Sequence, residues 1–240
     1  MTFLLLHGHY LGAWCWDLVR PSLEAAGHAV VAPQLHGMGE LFGALDESSG
    51  LERHCRDVTD LILQLDLRDL VLVGHSYSGL VACGVAHTSR SRIRRVVFLD
   101  GAVASHGQRL FDLIPGAEQS MREAADANGG LAVPLAEPLA LTLAAAGLES
   151  AESQARWGSR MTAVPLRTLT DRLEAPGDPV NLCAPHYIRC TRFPMSAETA
   201  ARCRARPGWT CDELPTGHLP MLTDPELTAA ALLRAAETSR

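Results

Sequence analysis

The stretch that most constrains this chain is LVLVGHSYSGLVACGVA, Leu70 to Ala86. An unbroken apolar run ends in Gly-His-Ser-Tyr-Ser-Gly, and small and apolar residues follow at once. The first half reads as a buried strand, and the second as a helix from Ser76 to about His87. A strand that turns into a helix without a connecting loop leaves almost no room at the bend. Residues two before and two after the turning residue must therefore be small, as Gly74 and Ser78 are, with Gly79 next. A serine at such a bend stands exposed at the strand's C-terminal end, where a nucleophile is useful. The usual pattern is G-x-S-x-G, and here the fifth place holds Ser78. An inert serine in a tight turn is the rival reading, so the neighbours of Ser76 must decide.

The flanking sequence alternates strand and helix. TFLLLHG (Thr2 to Gly8) reads as a buried strand, GAWCWDLVRPSLEAAG as a helix stopped by Gly27, and HAVVAP as a second strand. The glycine-rich stretch LHGMGELFGALDESSG reads as a loop. Leu51, Cys55, Val58, Ile62 and Leu65 fall on one helical face. RRVVFLDG is a fourth strand after LVLVG. Alternation of this kind, with continuously apolar strands, predicts a mostly parallel sheet with helices on both faces. The rhythm breaks after Gly101. Residues 102–179 are rich in Ala, Leu, Glu and Arg, carry several prolines and show no evident strand, so a small inserted helical cap is expected there. The core is then residues 1–101 and 180–240, closed by HYIRCTR as strand, SAETAARCRAR as helix, TCDELPTGH as strand and loop, and DPELTAAALLRAAE as helix.

Composition removes several function classes. The net charge is −6 over 240 residues, without long runs of one sign, so nucleic acid is not an expected partner. The cluster Arg90, Arg92, Arg94, Arg95 reads as a solvated helix-to-strand connection. Seven scattered cysteines include no C-x-x-C pair and lack histidines at metal spacing, so no metal or other cofactor is expected. They suit reduced thiols in a cytoplasmic protein. MTFLLLHG has no basic leader and too short an apolar run for a signal or a membrane span, so no membrane is expected. The partner is then a small-molecule substrate, and a homodimer is compatible with the chain.

A serine nucleophile needs a base, a group to orient that base, and donors for the oxyanion. LLLHGHYLGAWCW places a His-Gly turn after the first strand, where the backbone N–H of His9 can meet a reacting carbonyl together with that of Tyr77. LPTGHLPMLTDPEL places His218 in a loop after the last strand, where a triad base belongs in the order Ser, acid, His. HGHYLGAWCW, AGHAVVAPQLHGMG, LVGHSYSGLVA, MTAVPL and TGHLPMLTDPEL together resemble the α/β-hydrolase fold and, more narrowly, the plant methylesterase and hydroxynitrile lyase group with its bacterial relatives. The resemblance spans nearly the whole chain and implies a catalytic triad.

The chain departs from that group at the acid. The resemblance implies a carboxylate just after YIRCTR, and this chain has Phe193 there, between Arg192 and Pro194. The fold's second place for the acid is the end of the strand after the nucleophile strand, which here ends in Asp100. Orientation of His218 by Asp100 stands beside a plain turn-capping role, and Glu198 is a third candidate. The lyases of the group resemble one another in a threonine after the first-strand histidine and a lysine after the catalytic histidine. Here those places hold Gly8 and Leu219, which points toward ester hydrolysis. Phe111, Leu113, Ile114, Trp157, Met161 and Leu219 are the candidate apolar lining of the substrate pocket. The expected function is a carboxylesterase-like serine hydrolase acting on a small ester, thioester or lactone. Its rivals are a non-hydrolytic Ser-His enzyme on the same fold and a non-catalytic binding protein.

Overall fold

Every residue of the run Leu70–Val73 is buried, which a strand achieves only when both faces of its sheet are covered. The computed structural model, which describes residues 1–237, builds that sheet from β1 (Thr2–Leu6), β2 (Ala29–Val31), β3 (Leu70–His75), β4 (Ile93–Leu99) and two later strands. Two further strands, β5 (Ala132–Val133) and β6 (Val164–Pro165), pair antiparallel apart from it. β7 (His186–Cys190) and β8 (Thr210–Leu214) complete the main sheet in the order β2-β1-β3-β4-β7-β8, with all neighbours parallel. Successive side chains divide between the faces. Leu4, Leu6, Leu70, Leu72 and Phe98 pack on one side, and Phe3, Leu5, Val71, Val73 and Leu99 on the other.

Helices follow that division. α1 (Arg20–Ala25) contributes Leu23 to the second face, while α2 (Leu51–Gln64) and α3 (Ser78–Ser89) cover the first. α3 is buried from Ser78 through Ala86, in keeping with its lack of a polar stripe. Residues 102–179 hold α4 (Glu118–Asp126), α5 (Leu139–Ala145), α6 (Ala151–Gly158) and α7 (Arg167–Thr170). α8 (Ala197–Arg204), α9 (Pro220–Thr223) and α10 (Pro225–Glu237) close the chain. The connection after β1 runs one way along the sheet to β2, and the connection after β3 runs the other way to β4. The crevice beyond the C-terminal ends of β1 and β3 is therefore a topological switch point, where sheets of this kind accommodate ligands.

Three sequence expectations are corrected. The helix read over Gly12–Gly27 is a 3-10 turn, Ala13–Trp16, followed by α1, whose first turn holds Pro21. Proline lacks an N–H and fits only where a helix begins, so it divides the segment. α3 begins at Ser78, leaving Ser76 in the turn. Segment 102–179 is not wholly helical, because β5 and β6 form a ribbon within it. The same segment buries Leu143, Leu148 and Trp157 in one face's core, and Val164, Leu169 and Leu173 in the other's.

Candidate active site

Ser76 lies between β3 and α3 with φ 53°, a left-handed conformation that non-glycine residues seldom adopt. The bend is as tight as the sequence requires. A Cβ on Gly74 would lie 2.5 Å from the Ser78 carbonyl oxygen. Ser78 occupies the usual glycine place without loosening the bend. It is fully buried, and its hydroxyl donates to the His7 carbonyl, which ties the Ser76 turn to the turn after β1. Gly8 in that turn is equally constrained, since a Cβ there would stand 2.7 Å from both Ser76 Cβ and His75 Nδ1.

Ser76, His218 and Asp100 come together. His218 Nε2 is 2.9 Å from Ser76 Oγ, and His218 Nδ1 is 2.6 Å from Asp100 Oδ2. The carboxylate only accepts, so Nδ1 carries the ring proton and the Nε2 lone pair faces the serine hydroxyl. Asp100 has φ 47° and follows β4 directly; its backbone N–H donates to Ile188 O at 2.7 Å. Its second oxygen accepts from the Cys190 N–H at 3.0 Å, so both oxygens of this buried side chain are satisfied. The His218 loop is held from two sides. His75 Nε2 donates to the His218 carbonyl at 2.8 Å, and the Leu219 N–H donates to Ala146 O at 3.2 Å, just past α5. Phe193 touches the imidazole itself, with ring centroids 4.2 Å apart and planes at 24°. Glu198 lies in the first turn of α8 and is exposed.

On the other side of Ser76 lie His9 and Tyr77, whose rings stack at 4.4 Å and 17°. Tyr77 directly precedes α3, where helix N–H groups lack intrahelical acceptors. Its hydroxyl is 2.9 Å from His54 Nδ1, while His54 Nε2 donates to the His36 carbonyl at 2.8 Å. A carbonyl can only accept, so His54 Nδ1 is bare and accepts from the Tyr77 hydroxyl. Burial lowers His54 to about 4 and keeps it neutral. His7 is likewise neutral, lowered by burial to about 4. Its Nδ1 donates to Gly8 O at 3.0 Å, and its Nε2 accepts from the Leu35 N–H at 3.1 Å. His75 is held well below its ordinary value by burial.

A cavity of about 480 Å³ opens over these groups, between the strand ends and segment 102–179. His9, Ser76, Tyr77, Asp100 and His218 line it, and so do Leu113, Ile114, Met161, Leu219 and Phe193. Phe111 and Trp157 do not, which corrects their assignment as lining. Phe111 is buried in the core beneath the Arg122 guanidinium. Trp157 stacks on Trp14 at 5.7 Å, with Arg156 over its ring, and so helps to pin α6 against the sheet side of the molecule. Size and apolarity suit a core as well as a pocket, and the sequence does not separate them. The His9 imidazole, which also lines the cavity, carries no signal in the sequence beyond its place in the turn after β1. Among the described residues, no cluster of His, Cys, Asp and Glu could hold a metal ion, and no helix is long and apolar enough to cross a membrane.

Known proteins resemble the chain at two levels. The sequence profile of the alpha/beta hydrolase family matches residues 3–231. A carbendazim hydrolyzing esterase from Nocardioides sp. (strain SG-4G) is 41% identical over 116 residues, covering 48% of each chain. Methylesterase 7 of Arabidopsis thaliana is 37% identical over 99 residues, covering 40% of this chain and 38% of that protein. The matched stretches thus span about half of these relatives' length or less. Among solved structures, an extracellular alpha/beta-hydrolase from a Paenibacillus species superposes with a TM-score of 0.86 at 25% identity, covering 99% of this chain and all of that one. It is described as sharing structural and functional homology with tobacco salicylic acid binding protein 2. A methylesterase from Arabidopsis superposes with a TM-score of 0.75 at 19% identity over 98% of both chains, a likeness of fold.

Proposed function

This chain belongs to the alpha/beta hydrolase family, and from that premise we propose that it is a serine carboxylesterase cleaving a small ester, thioester or lactone through an acyl-serine intermediate. The observation that carries the reading is the hydrogen-bonded run from Ser76 Oγ through His218 to Asp100 Oδ2, opening onto a largely apolar cavity. Ser76 Oγ attacks the carbonyl carbon while His218 Nε2 takes its proton. Asp100 holds the ring in the tautomer that can do so and stabilises the imidazolium that forms. The backbone N–H groups of His9 and Tyr77 receive the charge that develops on the carbonyl oxygen. Collapse of the tetrahedral intermediate breaks the bond to the leaving group, which takes the proton from His218. Water, deprotonated by the same nitrogen, then releases the acid and restores Ser76.

The names of the relatives favour hydrolysis over the non-hydrolytic reading, since they are esterases and methylesterases. Leu113, Ile114, Met161 and Leu219 are the proposed contacts to the apolar part of the substrate, and residues 102–179 the proposed cap. A cytoplasmic location is proposed on a separate footing. Among the described residues no two of the seven cysteines are joined in a disulfide, and five of the seven are buried, as suits a reducing compartment.

The test is intact mass after incubation with a fluorophosphonate, wild type beside Ser76→Ala. A single adduct on the wild type and none on the variant is expected. An unlabelled but folded wild type would sink the acyl-serine mechanism.

A further inference from the structure

Any residue but proline at position 9 could supply a backbone N–H to an oxyanion, so that role leaves the His9 imidazole unexplained. The ring is not loose. It stacks face to face on Tyr77, which is itself fixed through its hydroxyl by His54. Its Nε2 lies 2.8 Å from Thr168 Oγ1. The single hydroxyl proton of Thr168 is already committed, because Oγ1 stands 2.6 Å from the Pro165 carbonyl oxygen. Two oxygens that close need a proton between them. Thr168 therefore offers only lone pairs to His9, and Nε2 must carry the ring proton. Burial lowers His9 to about 3, so the ring holds no second proton near neutral pH. Nδ1 is left as a bare acceptor.

Among the described residues, Nδ1 has no hydrogen-bond partner. His75 Nδ1 is also without a partner but is sealed from solvent. His9 instead lines the cavity beside Ser76. Its ring belongs to one proposed oxyanion donor and stacks on the residue that supplies the other. A substrate whose carbonyl sits between those donors lies in the same cavity that the His9 ring lines.

We infer that His9 is a specificity-determining residue, whose Nδ1 accepts a hydrogen bond from a hydroxyl on the carbon next to the scissile carbonyl. The substrate class is then α-hydroxy esters, a refinement that rests on the serine esterase reading above. A hydroxyl on a tetrahedral carbon turns about its own bonds to meet a fixed lone pair. An acyl group without that donor leaves the acceptor unpaired in a largely apolar site, and such mismatches are where enzymes discriminate strongly.

The test compares kcat/KM for methyl mandelate and its O-methyl ether, methyl α-methoxyphenylacetate. Wild type is expected to prefer the hydroxy ester by about 10-fold or more. His9→Phe keeps a flat ring for Tyr77 but removes the acceptor, and its ratio should fall to about 1. Thr168→Val, a change of similar shape, frees the ring proton to move to Nδ1, so its ratio should fall as well. A wild-type ratio near 1, or an undiminished preference in His9→Phe, overturns the assignment. If His9→Phe does not fold, the wild-type and Thr168→Val ratios decide. Fluorophosphonate labelling of the same preparations separates the two readings. Labelled Ser76 with no preference defeats the role of His9 alone, whereas absent labelling with neither ester consumed defeats the esterase reading and this inference with it.

Discussion

β4 and β7 are neighbours in the sheet, run parallel and end on the same rim, yet they deliver opposite chemistry to one imidazole. β4 passes straight into Asp100, which has a left-handed backbone and a carboxylate oxygen 2.6 Å from His218 Nδ1. β7 ends at Cys190, and three residues later Phe193 lays its ring on the face of the same imidazole at 4.2 Å. The resemblance to the methylesterase group implies the acid in the segment after β7, and here that place holds the apolar Phe193. What the difference teaches is that in the proposed triad the rim, not the strand, defines the acid position. Adjacent strand ends lie close enough for either to serve one histidine, so the position that does not supply the carboxylate is free to pack.

The sharpest way to break this comparison is Asp100→Asn. Asparagine keeps an oxygen for the Cys190 N–H but allows the wrong His218 tautomer, so kcat on an ester substrate should fall by about 10⁴ with the fold intact. Turnover within a few-fold of wild type would reduce Asp100 to a tie between β4 and β7. The next largest effect runs the other way. Adding Phe193→Asp to Asp100→Asn restores a carboxylate on the same rim, though over the ring face rather than at its edge. The imidazole must turn to use it, so recovery should be partial, about 10- to 100-fold over the single variant. Recovery of none of the lost rate would mean that the two strand ends are not interchangeable.

The unequal legibility of these two ends in the sequence has a physical cause. Strands β1, β3 and β4 announce themselves, because continuous apolar runs have few alternatives to burial on both faces. The tight turn at Ser76 is equally legible, since Gly74 and Ser78 answer a local steric demand. Ser78 itself needed the structure, because its hydroxyl is satisfied by His7, some seventy residues away in the chain. The same holds for the acid. The sequence offers Asp100 and Glu198 as carboxylates near the rim, and only distance separates a buried partner of His218 from an exposed helical glutamate. The ribbon of β5 and β6 is illegible in the sequence because two-residue strands carry no periodicity. Phe111 and Trp157 read as pocket lining in the sequence because a large apolar side chain looks alike in a core and in a pocket.

The smallest effect tests what Phe193 contributes as an aromatic ring rather than as a filler. In the proposed mechanism His218 becomes an imidazolium, and the face of an aromatic ring attracts a cation, while a pair of stacked rings resists rotation of either. Phe193→Leu keeps apolar bulk beside the ring and removes both contributions. These are worth about 1 kcal/mol together, so kcat should fall by roughly 3- to 10-fold. The loss should appear in kcat more than in KM, because the imidazolium is present in the transition state and not in the ground state. An unchanged kcat with a raised KM would assign Phe193 to the substrate pocket it also lines. The rim would then hold one chemical position at Asp100 and one binding position at Phe193, rather than two supports for the same imidazole.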